Sequence, residues 1–67
     1  MIDFESLRKR CDNDATLAVF LVRDAQEVKD AGLDDLAWAL TTNYCTRNDA
    51  LGFFDLLEKS MKEQAQK

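Results

Sequence analysis

The sequence predicts an all-α fold: a small bundle of three to four short helices, completed by dimerisation. Three observations carry this expectation. The chain has no proline and only two glycines. Its apolar residues recur at helical spacing, and neither strand-type alternation nor a hairpin dipeptide interrupts them. At 67 residues it is one domain, and a chain of that length buries only about 60% of the surface its unfolded form exposes. A partner subunit is one of the few remedies for so small a core.

The first helix is expected over 3–11. Asp3 can accept a hydrogen bond from the free amides of the first turn, and Phe4, Leu7 and Cys11 form a narrow apolar stripe, with Arg8, Lys9 and Arg10 turned to water. Asp12-Asn13-Asp14 has capping chemistry and low helix propensity, so it reads as a break; one continuous bent helix is the alternative. A second helix is expected over 14–31, ending at Gly32, which suits the left-handed position past a helix C-terminus.

This second helix holds six consecutive apolar residues, Leu17-Ala18-Val19-Phe20-Leu21-Val22. Leu17, Leu21, Ala25 and Val28 make one stripe that the chain's own helices can cover. Val19, Phe20 and Val22 point elsewhere on the wheel, and a helix that is apolar all round must be surrounded. They are the first candidates for an interface. A buried strand over the same run has no strand to pair with.

The third helix is expected over 34–45, capped by Asp34 with Asp35 in the first turn. Leu33, Leu36, Ala37, Leu40 and Tyr44 share its inner face. Trp38 lies about 140° away from Leu33 at 100° per residue. It either packs within its own subunit or anchors an interface, where tryptophan is enriched. Thr46 and Asp49 have approximate capping-box spacing, with Asn48 a rival cap, and the last helix is expected over 49–64 with a polar tail at 64–67. Its buried face is Ala50, Phe53, Phe54, Leu57 and Met61, and Leu51 and Leu56 widen the apolar arc on either margin. Gly52 in its interior suggests the close approach of another helix.

The function classes that composition disfavours are broad. There is no histidine and no glycine-rich phosphate loop, so no catalytic residue, cofactor site or small-molecule substrate site is assigned, and the chain is expected not to be an enzyme. Two cysteines at positions 11 and 45 match no metal-ligand spacing and read as small buried hydrophobes rather than reactive thiols. The start of the chain lacks a basic secretory n-region and the apolar run is far short of a membrane span, so a cytoplasmic chain without membrane contact is expected.

Net charge is −4, from 13 acids and 9 bases, which disfavours nucleic acid as a partner. Residues 26–38 resemble a helix-turn-helix in outline, but the second helix opens with Asp34 and Asp35 and offers no base-reading side chain before Asn43. Arg8, Lys9 and Arg10 are the only basic cluster. The leading expectation is a non-enzymatic protein–protein interaction module, a homodimeric regulatory or adaptor-like accessory protein, with Val19, Phe20, Val22, Trp38, Leu51 and Leu56 at the interface. The second is an acidic inhibitor or nucleic-acid mimic that presents Asp24, Glu27, Asp30, Asp34 and Asp35 to a basic partner.

Overall fold

The computed structural model describes residues 2–65, and among these it holds helices and no strand. In chain order they are α1 (Phe4–Cys11), α2 (Ala15–Val22), α3 (Gln26–Asp30), α4 (Asp34–Thr42) and α5 (Arg47–Ala65). The last two positions of the expected polar tail lie outside the described residues.

The longest helix is the platform. Phe53, Phe54 and Leu57 of α5 are buried together with Ala50, and Met61 packs against them. Phe53 and Phe54 meet edge to face at 5.5 Å between ring centres, and Phe4 of α1 approaches Phe54 at 6.5 Å. Such pairs contribute about 0.5–1.5 kcal/mol beyond the area they bury. Leu7 and Cys11 of α1, Val28 of α3 and Ala37 of α4 close over them.

The starts of α1, α2 and α5 each have a visible chemical cause. Asp3 accepts from the Ser6 amide and hydroxyl, which hold its carboxyl below the ordinary value. Asp14 accepts from the Leu17 amide and starts α2. Thr46 and Asp49 form a reciprocal capping box: the Asp49 amide donates to Thr46 Oγ1 and the Thr46 amide to Asp49 Oδ2, each at 3.1 Å. The helix consequently starts at Arg47, two residues before the expected position.

Several expectations need correction, beginning with the number of helices, five where three to four were expected. The single helix expected over 14–31 is two helices, broken at Arg23–Ala25 without glycine or proline. On a continuous helix Val28 would sit about 180° from Val19 at 100° per residue. The break re-phases the chain so that both are fully buried, an instance of tertiary packing overriding local propensity.

The cap of α4 is Leu33, not Asp34. Gly32 has φ +72°, its amide reaches the Lys29 carbonyl, and the Leu33 amide reaches the Val28 carbonyl at 3.0 Å. These bonds form a Schellman motif. Leu33 thus closes α3 and opens α4 at once, its carbonyl accepting from the Ala37 amide. The same helix ends at Thr42 rather than at 45, because the Thr41 and Thr42 hydroxyls both donate to the Trp38 carbonyl. Extended Asn43 then drops Cys45 into the core and leaves Tyr44 almost wholly exposed, so Tyr44 is not part of the inner face of α4.

Gly52 faces open space: nothing lies within 4 Å of where a Cβ would be. Among the described residues no other helix approaches it closely. Gly52→Ala is therefore expected to stabilise the fold by about 1 kcal/mol through helix propensity alone. Gly32→Ala should destabilise by about 1–2 kcal/mol, because its left-handed backbone is strained for any residue with a Cβ. Urea unfolding midpoints moving in opposite directions would check both; a loss of stability on Gly52→Ala would show that the site is occupied in solution.

Candidate functional site

The six-residue apolar run is covered on one side only. Ala18, Val19 and Val22 face inward and are buried, whereas Leu17, Phe20 and Leu21 point to solvent. This reverses the expected assignment: Val19 and Val22 belong to the subunit's own core, and Leu17 and Leu21 lie outside it. The reason is helix phase. At about 100° per residue Ala18, Val19 and Val22 fall within one side of α2, and Leu17, Phe20 and Leu21 fall together on the opposite side, so covering the first set leaves the second in solvent.

Phe20 is 50% exposed, Leu21 55% and Trp38 50%. Arg23 joins Phe20 of α2 and Trp38 of α4 into one surface. Its guanidinium carbon lies 4.4 Å from the Phe20 ring centre and 3.6 Å from that of Trp38, and its Nη1 donates to Thr41 Oγ1 at 3.0 Å. The cation is held by aromatic faces rather than by a carboxylate: Arg23 makes no ion pair among the described residues, and its covered Nε has no acceptor. The Phe20-to-Arg23 spacing of one helical turn is the sequence signal for this stack, and it requires knowing that Phe20 faces outward.

The other expected interface residues lie elsewhere. Leu51 is half-buried beside Arg8 and Asp55, and half-exposed Leu56 borders a separate groove with Ala31 and Leu33. Neither lines the hollow beside Phe20.

The basic cluster is largely spent within the chain. Arg8 donates to Asp55 at 3.0 Å and to Glu58 at 2.8 Å, and lies 5.6 Å from the Phe4 ring centre, tying α1 to α5. The hydrogen bonds it donates, to Glu58 first and Asp55 second, raise its already high pKa. Lys9 pairs with Glu5. Of the acids, Asp30 accepts from the Gln26 side chain, and Asp24, Glu27, Asp34 and Asp35 make no ion pair among the described residues.

A polar cleft of about 660 Å³ lies between the α1–α2 turn and the α4–α5 connection, lined by Asp12, Thr16, Thr42, Asn43, Tyr44 and Arg47 among others. Arg47 Nε bonds Asp12 across it. Thr16 anchors the connection, its hydroxyl accepting from the Cys45 amide and lying 3.6 Å from Cys45 Sγ. No group of three or more metal-ligating side chains assembles among the described residues. No helix among them is long and apolar enough to cross a membrane.

Cys11 and Cys45 are buried free thiols. Burial first, then the neighbouring Cys45 and Asp12, push the Cys11 thiol above its ordinary value of 9.0. A folded-state pKa above the unfolded one gives stability that is intact at neutral pH and is lost as pH rises beyond about 9. The unfolding free energy of the wild type should fall over that range, and Cys11→Ala should flatten the fall; an unchanged slope would count against it. Compared with models of protein families, with curated proteins and with solved structures, the chain matches none.

Proposed function

We propose that this chain is a non-enzymatic protein–protein interaction module that acts as a homodimer, of the regulatory or accessory kind, and that the outward side of α2 with Trp38 is its working surface. One observation carries the reading. Leu17, Phe20, Leu21 and Trp38 stay exposed on a chain whose core is already complete without them. Contiguous apolar patches of this sort on small proteins mark interaction sites. Large aromatics and arginine are the residue types that dominate binding energy at interfaces. Both are present here in one stack.

Phe20→Ser and Leu21→Ser test this directly. Both positions are half exposed, so Leu21→Ser should cost about 1 kcal/mol of folding stability, and Phe20→Ser, which also loses its stack on Arg23, about 1–2 kcal/mol. Helix content stays the same by circular dichroism, and sedimentation equilibrium shifts from dimer to monomer. A wild type that sediments as a monomer throughout the micromolar range removes the homodimer.

A second reading has its own support. Asp24, Glu27, Asp34 and Asp35 carry no internal counter-charge, which suits the capture of a basic partner. Reversing Glu27, Asp34 and Asp35 to lysine should abolish such a complex, and salt should weaken it; binding indifferent to both rules it out.

A further inference from the structure

The interaction surface makes no use of the chain's two cysteines. They stand far apart in sequence, at positions 11 and 45, yet both enter one buried cluster as free thiols, 3% and 2% exposed. Two contacts bracket them. Asp12, which follows Cys11, bonds Arg47, two residues after Cys45. Thr16 accepts from the Cys45 amide at 3.4 Å and lies 3.6 Å from Cys45 Sγ, and it shares a wall of the polar cleft with Cys11. The end of α1 and the connection from α4 to α5 are thereby held against each other at the two thiols.

A shared core accounts for burial alone. Cys11 also lines the cleft of about 660 Å³, which is open to a molecule as small as hydrogen peroxide. One thiol therefore has a route to an oxidant, and the other stands beside it as a resolving group.

We propose that Cys11 and Cys45 form an intramolecular disulfide when the chain meets hydrogen peroxide, and that this bond clamps the end of α1 to the α4–α5 connection. The clamp goes beyond the interaction surface above and does not rest on it. The reaction takes two steps. Cys11 attacks one peroxide oxygen, the O–O bond breaks, the thiol proton leaves with the second oxygen as water, and Cys11 becomes a sulfenic acid. The Cys45 sulfur then attacks the Cys11 sulfur, the S–O bond breaks, and hydroxide leaves with the Cys45 proton as a second water. The sulfur pair gives up two electrons and peroxide takes them. Because the Cys11 thiol is held above its ordinary value, little of it is thiolate at neutral pH, and thiolate is the nucleophile. The first step is slow, so the clamp records sustained exposure rather than a brief pulse. Once made, the bond closes a loop that contains α2, α3 and α4. Restricting the unfolded chain in this way lowers the unfolding constant by roughly a hundredfold.

The test treats the intact wild-type chain with hydrogen peroxide at neutral pH for several hours. Remaining thiols are then capped with iodoacetamide in denaturant. The expected product has lost two hydrogens, carries no cap, runs as a monomer on a non-reducing gel, and yields tryptic peptide 11–23 joined to peptide 30–47. Its urea midpoint rises and falls back on adding dithiothreitol. In Cys45→Ser the sulfenic acid on Cys11 has no thiol to resolve it and is trapped by dimedone, whereas Cys11→Ser leaves Cys45 unlabelled. The wild-type masses decide the matter even where a variant does not fold. Two capped thiols in the treated chain, or a bridge found only between chains, overturn the disulfide. An unchanged urea midpoint overturns the clamp, and a dimedone label on Cys45 overturns Cys11 as the attacking thiol. None of these outcomes bears on the homodimer, which sedimentation decides separately.

Discussion

The constraint on which the rest depends is the placement of two phenylalanines side by side on α5. Phe53 and Phe54 are consecutive, so they point about 100° apart on the helix, yet both are fully buried. That is possible only if other helices wrap a wide arc of α5, and α1, α2, α3 and α4 all pack against it. Truncating a fully buried Phe typically costs about 3–5 kcal/mol, as much as a core of this size supplies in total. The core built around the two rings takes in Ala18, Val19 and Val28 and leaves Leu17 and Phe20 outside.

Local chemistry was legible where it depends on residues three or four apart. Asp3, Asp14 and the Thr46–Asp49 pair cap helices in the way their spacing implies, and Gly32 occupies the left-handed position. The apolar faces of α1 and α5 were also readable, since polar residues alternate with apolar ones there and fix a phase. The phase of α2 was not. Six apolar residues in succession contain no polar marker for the outside, so nothing in the run says which side the other helices cover. The break at Arg23–Ala25 was hidden for the same reason: it exists to bring Val28 inward, and no residue in it is a helix breaker.

The candidate surface was half legible. Phe20 and Trp38 were singled out because they fell off the main stripes, and both are half exposed. Val19 and Val22 were singled out on the same geometric ground and are core residues. Their difference from Phe20 is direction: Val19 and Val22 lie about 60° apart on the wheel, whereas Phe20 is about 100° from the first and about 160° from the second. Arg23 left no trace in the periodicity, because its place is defined by two rings on two different helices.

This arrangement explains why the chain keeps a run that is apolar on every side. A helix facing solvent would ordinarily carry polar residues at positions 17, 20 and 21, with no loss to the core, because Ala18, Val19 and Val22 alone supply the inward face. About half of each of these side chains is covered within the chain, and the exposed half carries a hydration cost, at roughly 25 cal/mol per Å² of apolar surface, that the fold of one chain does not recover. The arginine between Phe20 and Trp38 contacts both rings and holds them in place. Under the function proposed above, a partner would meet a surface already ordered and would lose less side-chain entropy on docking; the inner half of α2 serves the fold, and on that proposal the outer half serves binding.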